Sequence, residues 1–481
     1  MSRRLHRLFG CLDPLLPVVS RLSRRNCGDR LPSTLTPPPA ARREHGQSLV
    51  LFALGLVAFA GLVGLSIDVG NMVWARTDQQ KAADAAVLAA IHVYLETGDP
   101  AEAREAAIEY ASGNGYEDAV VTVNNPPVEG DLAGNPDAFE VSISRPLSKY
   151  FIGVVYGGDW SVSARAAARV YEEQRGFGVV TLHPTACDSL VVNGSLKVQN
   201  GGAIVNSNCQ PNAMYVGTGG VVDTEFTHVH GTYQAGSGAT LEPDPVIYQP
   251  RVPDPYGNIP EPSLTNATPP PPVHDGGDDP PECTGGPNQR ANYGQGSWTF
   301  QPGRYRCELS FSARAEVTFK AGDYVFEGGL DLSRDVTVTM ERGIYATMGG
   351  LDMSRDTTLR DPSSGPRGVL IYNTCYGGCG TAGTIDIHSS ASINLTYYGN
   401  PYGNILIYQD RSASETIQFN ADSFTSPGAI YAASAHLEFS SSTDVPLQFV
   451  ASTVRINSSA EIDVDVSGGQ TVMVKFAELV E

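Results

Sequence analysis

The chain is short of charge, of nucleophile motifs and of metal-ligand spacings. Only 17% of its 481 residues are Asp, Glu, Lys or Arg, and it holds 9 His, 8 Cys and 3 Trp. Charge this sparse, alongside 51 Gly and 33 Pro, argues against a helical cytosolic enzyme and for β-rich architecture in two or more domains. Acids dominate what charge there is, 52 against 32 Lys and Arg, so the net charge is -20. Such a body has little electrostatic grip on phosphates, and no nucleic-acid partner is expected. Zinc spacing is missing, since neither CxxC nor HxxxH occurs. Calcium loops of the DxDxDG or GGxGxD kind are missing too. His228, His230, His274 and His436 have no GxSxG nearby, and no glycine-rich phosphate loop joins a strand to a helix. No metal and no cofactor are expected.

What is present is unevenly distributed. Residues 1–47 carry nine Arg against three acids, so the remainder of the chain is more acidic than the total implies. Residues 1–45, rich in Arg and Pro, show no apolar period and are read as a disordered cytoplasmic tail. Cys11 and Cys27 lie there, whereas Cys187, Cys209, Cys283, Cys307, Cys375 and Cys379 lie in the acidic body. An even count in that body suits disulfides in an oxidising compartment. Pairing by proximity gives Cys187 with Cys209, Cys283 with Cys307 and Cys375 with Cys379, one of about 15 connectivities open to six cysteines.

From Leu49 to Leu65 every residue is apolar or Gly, and Ser66 and Ile67 extend the run before Asp68. With Leu49, Phe52, Leu56, Phe59, Leu62 and Leu65 spread around a helix about 30 Å long, the run can cross a bilayer. Arg42 and Arg43 stand before it and Asp68 after it, so the positive-inside rule puts the N-terminus in the cytoplasm and the body outside. A rival reading takes Leu49–Val57 as a signal-peptide core cut near Ala58-Phe59-Ala60, but the run continues past that site. Helical pattern then persists to Leu95, with Ala82, Ala86 and Ala90 spaced to admit another helix, within this domain or between subunits.

The series Gly46-Gln47-Ser48, the apolar span, Ile67-Asp68-Val69-Gly70, Arg76, Gln79-Gln80 and Ala82-Ala83-Asp84-Ala85-Ala86 resembles the N-terminal region of TadG-like and TadE-like proteins of the tight-adherence (Flp) pilus assembly system. Gly46, Gln47, Asp68, Gly70 and Asp84 carry the motif. A looser likeness reaches Val170 through a helix at about 100–113 and strands at 119–123, 139–144 and 160–170. The resemblance implies a single-pass envelope protein associated with pilus biogenesis, with other Tad assembly proteins as partners. Pilin-like members have a Glu five residues after the cut; Leu51 occupies that place here, which argues against prepilin-peptidase processing. Some TadG-like proteins carry a von Willebrand type A domain with DxSxS; Asp331-Leu332-Ser333-Arg334-Asp335 and Asp352-Met353-Ser354-Arg355-Asp356 lack its final Ser.

Downstream the sequence repeats. Gly303-Arg304-Tyr305, Gly322-Asp323-Tyr324 and Gly343-Ile344-Tyr345 recur, and Gly329-Leu330-Asp331-Leu332-Ser333-Arg334-Asp335 returns as Gly350-Leu351-Asp352-Met353-Ser354-Arg355-Asp356. Units of about 20 residues with short β runs predict the coils of a right-handed parallel β-helix. The segment from Pro243 to Pro287, holding 14 of the 33 prolines, reads as a linker between two β blocks or an excursion from one.

The expected fold is therefore a membrane-anchored multidomain chain. It has a tail (1–45), a transmembrane helix with its extension (46–95), a small α+β domain (96–180), β-helix coils (181–242), a Pro-rich linker or loop (243–297) and a parallel β-helix (298–481). Since β-helices also host polysaccharide-degrading enzymes, Asp331, Asp352, Asp335 and Asp356 are candidate carboxylate pairs, one coil apart at about 4.8 Å. The repeat itself produces that stacking, with Arg334 and Arg355 interleaved, so the chain is read as non-catalytic. Tyr397, Tyr398 and Tyr402 are read as packing residues before sugar platforms. The resulting expectation is a structural or adhesive envelope protein in the cell membrane, its body extracytoplasmic, with surface polysaccharide as a further candidate partner. The alternative is a membrane-tethered polysaccharide-degrading enzyme or carbohydrate-binding module.

Overall fold

The structure, a computed structural model, describes residues 47–154, 156–269, 272–274, 286–375, 382–420, 423–440, 443–444 and 447–480. The tail, Gly46, Cys11, Cys27, Cys283 and Cys379 lie outside the described residues.

Helix α1 runs unbroken over Gln47–Thr97, as its freedom from Pro and its Ala-rich second half allow. It stops where Gly98 takes the left-handed conformation (φ 71°) and donates its amide to Tyr94 O. Asp99 then caps α2 (Pro100–Ala111) by accepting from the Ala101 amide at 2.8 Å, with Pro at the first helical position. Strands β1 (Val120–Asn124), β2 (Ala138–Pro146) and β3 (Ser161–Thr181) form an antiparallel sheet. Ala82, Ala83, Ala86, Val87, Ala90 and Ile91 bury against Ala103, Ala107 and Ala111 of α2 and against Phe139, Val141 and Ile143 of the sheet. The small residues are thus buried within their own domain.

β3 does not end with that domain. Its second half turns into a parallel ladder, with Val179–Thr181 lying between Phe449–Ala451 on one side and Ala203–Val205 on the other. Beyond residue 177 the body consists almost wholly of short parallel strands in three ladders. One ladder runs through 290–293, 308–311, 330–332, 351–353, 385–387, 417–419, 437–439 and 454–456, then on to 190–192, 214–216 and 233–235. The late sequence block therefore stacks directly onto the start of the early one. They share one apolar interior, in which Val179, Leu190 and Val205 join Leu309, Leu330, Leu351 and Ile407.

The repeat explains the ladders chemically. Leu309, Leu330 and Leu351 are register neighbours, as are Phe311, Leu332 and Met353. Tyr305, Tyr324 and Tyr345 each turn inward and donate the phenol O–H to the carbonyl four residues earlier, at 2.7, 2.7 and 2.6 Å. The rings of Tyr324 and Tyr345 stack at 5.0 Å. The glycine of each motif answers to crowding: a Cβ on Gly343 would stand 1.9 Å from Gly322 O.

The Pro-rich segment, read as a linker or an excursion, packs against the stack over part of its length. It leaves the stack at Val246–Ile247 and re-enters at Arg290–Tyr293, at opposite ends of the ladders. Between them Val252 and Tyr256 are buried, and Ile259 and Leu264 half-buried, along the outer face of one ladder. Tyr256 donates to Asn404 Oδ1 at 2.8 Å, Tyr431 to Asp254 at 2.7 Å, and Arg304 N–H to Ala267 O at 2.8 Å. Val273 and His274 finally pair antiparallel with Thr299 and Trp298. Proline removes amide donors but not apolar side chains, so such a strand can dry a face without joining its ladder.

The C-terminal strand, Thr471–Val480, is a departure, since 298–481 was expected to be all stacked coils. It pairs antiparallel with Gly176–Ala167 of β3 over ten residues and completes the small domain's sheet. Chain entry into the stack and chain exit from it are thus neighbours.

Candidate functional site: the anchor helix, its domain and the aspartate ladder

Leu49, Phe52, Leu56, Phe59, Leu62 and Leu65 are all exposed along α1, from 45% at Leu65 to 72% at Leu49 and Phe52. A helix apolar on every side has no stable place in water. This stretch is long and apolar enough to cross a membrane.

Where the apolar run ends, the side chains turn specific. Asp68 is 2% exposed and accepts the backbone amides of Tyr150, Phe151 and Ile152 at 3.0, 2.9 and 2.5 Å. Asp84 accepts from Gln80 Nε2 at 2.8 Å, and the same amide donates to Arg165 O in β3. Gly70 lies in open space, with no atom within 4 Å of a Cβ built there. Gln47 begins α1. Two further groups, invisible to motif reading because their partners are remote in sequence, hold elements of this domain together. Tyr116 donates to Asp78 at 2.7 Å, and burial, then that carboxylate, push its pKa up to about 12. Glu140, 3% exposed, is raised by burial, but Arg165 at 2.7 Å, Asn124 and the Glu129 amide outweigh this and hold it below its usual range.

Among the described residues one apolar helix is long enough to cross a membrane, and it continues into a small α+β domain, which defines a candidate membrane-anchored protein. Residues 46–104 match the family described as "Putative Flp pilus-assembly TadE/G-like". This match ties the N-terminal region to a role related to Flp pilus assembly. No curated protein and no solved structure matches the chain.

In the body, Asp331, Asp352 and Asp386 occupy equivalent positions of three successive strands. Arg290 bonds Asp331 at 3.0 Å and Glu308 at 2.6 Å, while His388 Nε2 lies 3.5 Å from Asp352 and 3.7 Å from Asp386. Burial, partly offset by His388, raises the Asp352 pKa, and Asp331 and Asp386 add to the rise. Asp335 and Asp356 sit apart from this row in left-handed turns (φ 64° and 59°). Among the described residues no group of His, Cys, Asp and Glu could hold a metal ion. Arg334, Arg355, Ser354 and His388 line an open hollow beside the row.

Cys187 and Cys209 form a disulfide. Cys307 and Cys375 are disulfide-bonded as well, and their expected partners Cys283 and Cys379 lie outside the described residues. His228 is 4% exposed, edge-on to Phe226 and Phe476, and burial, aided by Arg175, pushes its pKa down to about 4. His230 Nδ1 contacts Gln249 O, and His436 Nδ1 contacts Thr453 Oγ1, both at 2.7 Å. The side chain of His274 lies outside the described residues. Tyr402 is buried, Tyr397 packs on the interior cluster, and Tyr398 lies under Arg342.

Proposed function

We propose that this chain is a single-pass envelope protein of a Tad/Flp-type pilus system, its N-terminus in the cytoplasm and its body outside. The body is a right-handed parallel β-helix that serves adhesion or pilus-linked assembly without catalysis. The observation that carries the reading is the match at residues 46–104, which covers both the apolar helix and the start of the domain on which the body is mounted. Handedness follows from the rule that parallel strands joined by a crossover wind to the right in about 98% of cases. The Arg-rich flank before the span supports the orientation, and the Cys187–Cys209 disulfide supports an oxidising, extracytoplasmic setting. Partners of this reading are the membrane, other Tad assembly proteins and surface polysaccharide; the acidic body gives no reason to expect nucleic acid. Deleting the gene and scoring pilus display and surface attachment tests it. Loss of either, restored by the full chain, is expected, and unchanged phenotypes would overturn the reading.

The row Asp331, Asp352, Asp386 favours one competing reading, a tethered polysaccharide-cleaving enzyme, because a raised carboxyl beside other carboxylates is what glycoside hydrolysis uses. Incubating the full chain with acidic and neutral polysaccharides decides between them. No release of reducing or unsaturated ends is expected; release abolished by Asp352→Asn would replace the non-catalytic reading.

A further inference from the structure

We propose that the connection between β2 and β3, described over residues 147–154 and 156–160, is a membrane-interface loop. Its aromatic and aliphatic side chains rest among lipid headgroups at the level where the apolar helix leaves the bilayer. The proposal rests on the bilayer-spanning reading of α1 given above.

Depth is set by Asp68. The apolar run Leu49–Ile67 spans about 28 Å as a helix, close to the hydrocarbon thickness of a bilayer, so the next residue stands at its boundary. Asp68 is that residue, and it holds the amides of Tyr150, Phe151 and Ile152. A loop whose backbone is tied to the boundary residue shares its depth.

The loop's surface suits that depth. Tyr150 is 62% exposed, Phe151 51%, Val154 86% and Tyr156 47%, and none belongs to the buried cluster of the small domain. Four large side chains are shown outward within seven residues and lie outside the chain's buried clusters, Tyr156 meeting the loop's own Trp160 edge-on, and connections facing water are ordinarily polar. Six of the loop's backbone amides are satisfied within the chain. Besides the three amides on Asp68, Val154 N–H donates to Phe151 O, Tyr156 N–H to Ile152 O, and Leu147 N–H closes the base on Trp160 O at 2.7 Å. Tyr, Trp and Phe with nearby cations, here Arg145 and Lys149, are the composition that settles at headgroups.

The test uses the full chain in phosphatidylcholine/phosphatidylglycerol nanodiscs whose lipids carry bromine either near the headgroup or deep in the acyl chain. Trp74→Phe and Trp160→Phe leave Trp298, 5% exposed within the body, as an unquenched internal reference. Phe151→Trp is then introduced in one protein and Leu56→Trp in another. Expected is loss of roughly half the Phe151→Trp emission to shallow bromine and less to deep bromine, with the order reversed for Leu56→Trp. If Leu56→Trp is quenched and Phe151→Trp is not, the loop proposal is overturned while the span stands. If neither is quenched, the span itself fails and takes the loop with it. An unquenched Phe151→Trp whose emission turns blue as protein concentration rises would assign the loop to a second copy of the chain, and would likewise overturn the proposal.

Discussion

In the small domain, Ala82, Ala86 and Ala90 of α1, Ala103 and Ala107 of α2 and Phe139, Val141 and Ile143 of β2 share one apolar cluster, and a polar tie from Arg165 to Glu140 joins β3 to β2. In the stacked body the interior is filled instead by Leu, Ile, Phe and Tyr ladders in which each unit presents the same residue type to the next. The first arrangement depends on unlike partners meeting once, the second on like partners meeting repeatedly. A family motif can therefore mark the first, whereas only internal periodicity marks the second. Both regions are joined by one strand, β3, which is antiparallel in the domain and parallel in the stack.

The sharpest way to break that contrast is to remove the C-terminal strand, since it belongs by sequence to the body and by pairing to the domain. Deleting residues 471–480 uncovers an edge of β3 and removes Val472 and Val474, both buried, at a cost of about 3–6 kcal/mol. Amide exchange in 167–176 should rise first, ahead of the ladders; exchange unchanged there would contradict the pairing.

Next in size is Phe449→Ala. Phe449 is 1% exposed and lies between Ile430 of the late block and Val179 of the early one. The cavity should cost about 3–5 kcal/mol, and protection should fall on both sides, at 428–439 and at 202–205. A loss confined to 428–439 would mean that two separate stacks exist.

A smaller effect is expected from pH. His228 is held neutral, with a folded pKa of about 4 against an ordinary 6.5, so the unfolded chain takes up a proton first on acidification. Stability from this group is complete above about pH 6.5, declines as pH falls through the window, and is gone below about 4, a change of up to about 3 kcal/mol. Chemical denaturation at pH 7.5 and 4.5 measures it, with His228→Phe expected to flatten the difference.

The apolar span, the continuous helix to residue 95 and the repeat of about 20 residues were legible because each rests on a local pattern: an unbroken apolar run, Ala at intervals of four, and Gly-x-Tyr recurring. The order of the stack was not, because nothing local tells Leu190 that its neighbour is Val454, 264 residues away. Proline was no guide in the same way: its count left linker and excursion equally open, while Val252, Tyr256, Ile259 and Leu264, spaced by three to five, are what the outer face selects. Asp68 was read as a motif residue, and its three amide partners, more than 80 residues downstream, are fixed by tertiary structure alone.

The placement of the body across the membrane from the N-terminus is tested most directly by epitope accessibility. A short epitope inserted at the exposed Ser237-Gly238 turn, in the otherwise complete chain, should bind antibody on intact spheroplasts as strongly as after lysis, while the chain stays with carbonate-washed membranes. Binding that appears only on lysis, or a chain released from those membranes, would contradict the account.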